Sequence, residues 1–463
     1  MRSPAIYLAL SSLLLLVPPA SSAQIVLSEI LHQFDGQDGT APVGRLTEGT
    51  DGFLYGVTSA GGADNCGSVF RISLDGQFDA NWRINLIRAQ TGCEPQMGLT
   101  AIPGENAFFG TAREGGANGN GTIFRVTQNG TITTAHHFGT LDSPRSPGGA
   151  LLLASDGNWY GTSTGTSLPH PTINGTIFRY DGKDTVTILH EQDSDLHGRG
   201  TEGGLIQGED GHLYGVARFA GQHGDGTLFR VTLGGDFTVL HHFKRDVTGR
   251  SPSAPLALGP DGAIYGVAPF DGPQSSGAFG TLFRYTSSEG LELLHEFVSI
   301  GFTPVVTPQR GVVFDQDGTL YGTAFRIYRR TPNGEVEGLG PPLSIGTKSV
   351  MLTSNGDLFA LTEGNLVGQT DHGTIFVYWL SAAANGTPNQ QDPDGDSGTN
   401  GDQNGGTDTG DDDSESSGGG GGGGSGGGCS LASGQDHVLS LLFLLALAGL
   451  GMRGYPRRAR TSG

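Results

Sequence analysis

Asp51-Gly52-Phe53-Leu54-Tyr55-Gly56-Val57-Thr58, followed by Gly67-Ser68-Val69-Phe70-Arg71-Ile72, is the first copy of a sentence that this chain writes seven times. Later copies run from Asn106 to Val126 (AFFGT then GTIFRV), Asp156 to Tyr180 (DGNWYGT then GTIFRY) and Asp210 to Val231 (DGHLYGV then GTLFRV). The last three span Asp261 to Tyr285 (DGAIYGV then GTLFRY), Asp317 to Arg330 (DGTLYGT, shortened) and Asn355 to Tyr378 (NGDLFAL then GTIFVY). The aromatic ahead of the glycine falls at Tyr55, Phe109, Tyr160, Tyr214, Tyr265, Tyr321 and Phe359. That period of about 50 residues suits propeller blades better than the shorter solenoid units.

Within one unit four apolar runs alternate with turn signals: Gly149 to Ala154, Trp159 to Thr162, Gly175 to Tyr180, and Thr185 to His190. Four short strands make one blade, so the chain is expected to be all-β, with a seven-bladed β-propeller over residues 24–384. Asp-Gly between the first two strands predicts a two-residue hairpin turn with positive φ at both central residues. The glycine after each repeat tyrosine lies inside a strand, where it predicts a bulge or a close backbone approach near the axis. Ring closure follows from phase. Residues 25–34, ending in Leu31-His32-Gln33-Phe34, match the end of a unit (compare Val239-Leu240-His241-His242-Phe243), while the seventh unit stops after its third strand. The N-terminal strand is therefore expected to complete blade seven and cover its edge.

The unit DG-x-LYG-T/V, GG, GT-x-FR-V resembles the GloVer tandem repeat of the bacterial choice-of-anchor proteins, over about residues 25–380. Two copies depart from it: the sixth reads Phe325-Arg326-Ile327-Tyr328-Arg329-Arg330, and the third replaces the Gly-Gly loop by Ser167-Leu168-Pro169-His170-Pro171. The resemblance implies secretion and surface display. It implies no catalytic activity, so no residue role comes with it.

The flanks agree with export. Residues 1–23 read as a signal peptide: Arg2, the apolar run Ile6 to Val17, Pro18-Pro19, and small residues at Ser21 and Ala23. Residues 385–428 form an acidic, glycine-rich linker that cannot bury a core. Asp392, Asp394 and Asp396 invite a calcium-loop reading, but Ser397 and Gln403 stand where such a loop needs glycine and a bidentate glutamate. Residues 429–463 combine Cys429, the apolar run Val438 to Gly451, and Arg453, Arg457, Arg458 and Arg460. That order resembles the GlyGly-CTERM, MYXO-CTERM and JDVT-CTERM sorting signals, which implies a membrane segment, a sorting protease, and Cys429 as the processed and anchored residue.

With 26 Lys plus Arg against 46 Asp plus Glu, the net charge is −20. So acidic a chain argues against nucleic acid and anionic lipid as partners of the repeat region, and the expected surface ligand is a carbohydrate or a protein. Cys66 and Cys93 are the disulfide candidates of an exported chain, placed by the sequence in one blade. His32, His136, His190, His241 and His295 recur at one position of the fourth strand, and Arg71, Arg125, Arg179, Arg230 and Arg284 recur after the phenylalanine of the third. Residues repeated in blade after blade read as structural, with the arginines expected in inter-blade ion pairs or stacks. No nucleophile elbow, zinc-protease motif or phosphate loop is present, and no catalytic residue, cofactor or metal ligand is assigned. The alternatives are a lactonase- or lyase-like enzyme with a site in the central channel, and a purely structural envelope protein.

Overall fold

Each repeat folds into one antiparallel sheet, and the seven sheets make a β-propeller in the computed structural model. It describes residues 25–380 except 140–142, 167–174, 193–195, 274–277, 299–306, 309–310, 325–326, 340–346 and 363–371. The signal peptide, the linker, the C-terminal segment with Cys429, and the loop at Ser167–Pro171 all lie outside the described residues. The chain divides into two units, Met1–Thr387 and Pro388–Gly463.

Blade four shows the plan. Leu205–Gln207 is innermost, followed outward by Leu213–Ala217, Thr227–Val231 and Phe237–His242. In blades two and three the inner strand is split in two, into Cys93–Pro95 with Thr100–Ala101, and Pro144–Pro147 with Leu152–Leu153. Blade seven takes its outer strand from the N-terminus: Ile25–Gln33 pairs antiparallel with Thr374–Leu380, with Ser28 opposite Tyr378 and Gln33 opposite Thr374. The ring is closed as the phase of the repeats predicts. An N–H that would otherwise face solvent, that of Phe34, donates to Gly373 O at 2.9 Å.

The core lies between the facing sides of neighbouring blades. Val43, Tyr55 and Val69 of blade one pack in one cluster with Leu99, Phe108 and Phe124 of blade two. All seven repeat aromatics are buried, from Tyr55 and Tyr160 at 0% exposure to Tyr265 at 7%.

The repeat glycine has a cause other than the one expected. The ladder between second and third strands runs without a shift, so there is no bulge at this site. Instead Gly56, Gly110, Gly161, Gly215 and Gly266 sit directly opposite Phe70, Phe124, Phe178, Phe229 and Phe283. A Cβ at Gly56 or Gly161 would fall 2.3 or 2.4 Å from the ring tip of that phenylalanine. The close approach is therefore a side chain and not backbone. Blade seven confirms the logic: Ala360 replaces the glycine, and its partner Phe376 is only partly buried, whereas the other five rings are fully buried.

The Asp-Gly turn also departs from expectation. Gly52, Gly157, Gly211 and Gly262 have φ near +79°, +79°, +80° and +73°, but the preceding aspartates keep negative φ. The turn is one residue wider on the N-terminal side, with Gly52 N donating to Gly49 O at 3.3 Å and Gly157 N to Ala154 O at 3.0 Å. This is a type I turn closed by a left-handed glycine. It leaves the aspartate side chain free to turn inward.

Candidate functional site

On the face carrying these turns, each aspartate accepts a hydrogen bond from the tyrosine hydroxyl of its own blade. Tyr55 donates to Asp51 at 2.6 Å, Tyr160 to Asp156 at 2.8 Å, Tyr214 to Asp210 at 2.8 Å and Tyr265 to Asp261 at 3.0 Å. In blade six Asp315, two residues upstream of the Asp-Gly pair, takes this place at 3.1 Å. Burial first, and the neighbouring carboxylate second, push the Tyr55, Tyr160 and Tyr214 hydroxyls up to about 12. Burial pushes the Asp261 carboxyl up, but bonds from Arg284, Ala263 N and Tyr265 outweigh it and hold the group below the usual carboxylate range.

Arg71, Arg125, Arg284 and the sixth blade's Arg329 make their ion pairs within their own blades, which corrects the inter-blade ion-pair expectation for these four, while Arg71 Nη1 also donates to Gln128 O of blade two at 3.5 Å. Arg71 lies directly opposite Tyr55 in the ladder, so both side chains reach the same turn. Arg71 pairs with Asp79 at 2.7 Å and Asp51 at 3.6 Å, Arg284 with Asp261 at 2.9 Å, Arg125 with Glu105 at 2.5 Å, and Arg329 with Glu337. Stacking does occur, with the Arg71 guanidinium 4.2 Å from the Phe53 ring centroid and 5.1 Å from that of Trp82. The lock of tyrosine, aspartate and arginine is varied in two blades: blade two, with Asn106 and Phe109, keeps Arg125 on Glu105, whereas blade seven replaces all three members. Blade seven has Phe359 opposite Val377, and Asn355 in place of the aspartate.

The histidines sit one residue past a register shift in each outer strand and fill the rim between blades. His32 stacks on Phe78 of blade one at 3.5 Å and His190 on Phe237 of blade four at 4.0 Å. Burial lowers His241 to about 4 and also lowers His136 and His295. Cys66 and Cys93 are joined by a disulfide with Cα atoms 4.3 Å apart. The sequence put both in one blade, but Cys93 opens the inner strand of blade two, opposite Glu114. The bond therefore ties adjacent blades, because the chain has already returned to the axis at Cys93.

The opposite face carries the loops between second and third strands and those linking one blade to the next. It is not uniform. Arg145, Arg199 and Arg250 occupy one register position in blades three to five, opposite Gly165, Phe219 and Phe270. Arg145 and Arg199 are exposed, and Arg250 pairs with Asp271. Phe219 is 45% exposed, with the Arg218 guanidinium 4.9 Å from its centroid, and Arg250 lies 5.4 Å from that of Phe270. Sequence reading missed this set because it is absent from the other blades; aligning the copies six residues ahead of Leu151, Leu205 and Leu256 would have found it.

At the axis the inner strands touch backbone to backbone. A Cβ at Gly44 would fall 1.8 Å from Gly98 N, and one at Gly149 2.5 Å from Gly204 Cα. Arg45 of blade one spans this neck, donating from Nη2 to Val312 O of blade six at 2.7 Å. Among the described residues no group of three His, Cys, Asp or Glu could hold a metal ion, and no helix is long and apolar enough to cross a membrane.

The Gloeobacter/Verrucomicrobia repeat is matched by residues 21–168 and 142–336. No curated protein matches the chain. Among solved structures, the extracellular domain of the putative one-component system BT4673 from B. thetaiotaomicron is similar at 10% identity and TM-score 0.51, over 77% of this chain and 40% of that one. The extracellular domain of a putative hybrid two-component system from the same organism gives 10% identity and TM-score 0.52, over 78% and 40%. This chain thus spans less than half the length of those extracellular domains. A putative gluconolactonase aligns at 13% identity with TM-score 0.36, over 77% of this chain and 92% of its own. At these identities the likeness concerns the fold alone.

Proposed function

This chain belongs to the Gloeobacter/Verrucomicrobia repeat family, and from that membership we propose that it is an exported, surface-anchored binding module whose loop face takes an acidic carbohydrate. The observation that supports the ligand class is the row Arg145, Arg199 and Arg250 beside the rings of Phe219 and Phe270. Guanidinium groups present paired donors to a carboxylate or sulfate, and an exposed ring offers a flat apolar surface to a sugar. In a chain of net charge −20, attraction for a polyanion has to be local to such a patch. Affinity electrophoresis of the full-length protein through gels containing polygalacturonate tests this. Retardation should appear with the acidic polymer, be absent with neutral dextran, and be lost in the Arg145→Ala/Arg199→Ala/Arg250→Ala variant. Equal mobility of wild type and variant would refute it.

Anchoring belongs to the same proposal. The signal peptide directs export, the linker over residues 385–428 holds the propeller away from the membrane, and a sorting protease cuts beside Cys429 so that the thiol can be lipidated. One acyl chain contributes only about 0.8 kcal/mol per buried CH₂, so a second chain or an envelope partner completes the attachment. Mass spectrometry of the mature C-terminus decides it: an intact tail through Gly463 with a free Cys429 would contradict processing.

A further inference from the structure

Counting back two residues from the inner-strand partner of each repeat aromatic gives one equivalent position per blade. Six of the seven are small or uncharged: Gly98, Ala150, Gly204, Pro255, Gly311 and Ser349. The seventh is Arg45. Its strand is pushed out of register here, pairing Val43 with Val57 and next Thr47 with Tyr55, so three residues stand where the ladder has room for one. That bulge places a long cationic side chain at the position where the other blades carry small or uncharged residues. Gly311 is shaped to receive it, since a Cβ there would lie 2.9 Å from Arg45 Nη2.

The guanidinium is poorly satisfied for a half-buried position. Nη2 donates to Val312 O, while Nε is buried and bonds to nothing. Every repeat arginine of the turn face with a pairing given above has a carboxylate within reach, but Arg45 has no such ion pair among the described residues. Desolvation with no compensating charge pushes its pKa down to about 10. Holding an uncompensated cation in a partly buried neck is unfavourable, whereas a plug between blades one and six could have been made from an apolar side chain without that cost.

We propose that Arg45 is the receptor for a small carboxylate bound at the propeller axis, the anion supplying the countercharge that the chain does not. A carboxylate is the anion class chosen because its two coplanar oxygens match the planar donor fork of a guanidinium. This site stands independently of the acidic-carbohydrate reading: it uses different residues and a monomeric ligand.

The test is a titration of the full-length protein with sodium acetate at constant ionic strength against chloride, read by thermal unfolding and by calorimetry. Wild type should show a saturable rise in Tm and a single binding isotherm, with phosphate giving a smaller rise. Arg45→Met should abolish both signals while Arg145→Ala leaves them intact. Should Arg45→Met fail to fold, Arg45→Lys retains the charge but loses the planar fork, and its acetate affinity should fall roughly tenfold, the worth of one charge-assisted hydrogen bond. An acetate response absent from wild type, or equal in wild type and either Arg45 variant, overturns the proposal. A response lost in Arg145→Ala but retained in Arg45→Met would place the anion on the loop face instead.

Discussion

The two faces of this ring are made from the same seven copies, yet they keep different things constant. On the turn face the same Tyr, Asp and Arg recur, and each set closes on itself: Tyr214 on Asp210, and Tyr265 and Arg284 together on Asp261. On the loop face the copies diverge, with arginine at 145, 199 and 250 but Cys93 and Thr40 at the matching places of blades two and one. A residue that every blade needs is held by the folding of that blade. A residue present in some blades only is released from that duty, and it is on such residues that the proposed ligand contacts are placed.

Removing residues 24–34 strikes what both faces depend on. It exposes the edge of Thr374–Leu380 along its length, and the expected outcome is aggregation or early melting of the whole domain. An unchanged Tm would show that closure of the ring does not rest on this strand. Breaking the Cys66–Cys93 bond, which closes 27 residues and joins blades one and two, should cost about 3 kcal/mol in chemical denaturation. Intact mass would show the oxidised form two hydrogens lighter, and a count of two reactive thiols in the folded protein would remove the bond from the account.

The turn-face lock can be tested as a unit. Arg284→Val alone leaves Asp261 without its cation and should cost about 1 kcal/mol, limited by the partial exposure of the pair. Tyr265→Phe with Asp261→Asn and Arg284→Val reproduces blade seven, where Phe359, Asn355 and Val377 stand together. That triple variant should be less destabilised than the sum of the three single changes, because no member is left half-satisfied. Strict additivity would mean the three residues do not act together.

The rim histidines add a pH dependence. His241 has its folded pKa lowered from about 6.5 to about 4 by burial. Between these values the unfolded chain takes up the proton and the folded one does not, so stability falls as pH drops from 6.5 toward 4. His136 and His295 contribute in the same direction. His241→Gln should flatten part of that slope in Tm measured against pH, and an unaltered slope would assign it elsewhere.

Much of this was legible in the sequence because a repeat reports its own structure seven times over. The blade count, the strand order and the N-terminal closure all follow from phase alone. Local geometry was less legible. Asp51-Gly52 reads as a tight turn, but the aspartate is recruited by Tyr55, four residues on, and that bond favours the wider turn. Gly56 reads as a backbone feature, but its reason is the ring of Phe70, which only the register puts opposite it. Cys93 reads as the end of blade one, because nothing in the intervening residues marks where the chain returns to the axis. Arg45 and the row from Arg145 to Arg250 were missed because attention to what repeats passes over what does not.

The division between the faces is tested most directly by measuring stability and ligand retention on the same three full-length proteins. These are wild type, the turn-face variant Asp210→Asn, and the loop-face variant Arg145→Ala/Arg199→Ala/Arg250→Ala. Asp210→Asn should lower stability, through the bond from Tyr214, yet migrate like wild type through polygalacturonate gels. The loop-face variant should stay within about 0.5 kcal/mol of wild type per substitution and lose its retardation. If instead retention followed Asp210, or the loop-face variant unfolded while still binding, the assignment of structure to one face and recognition to the other would be wrong.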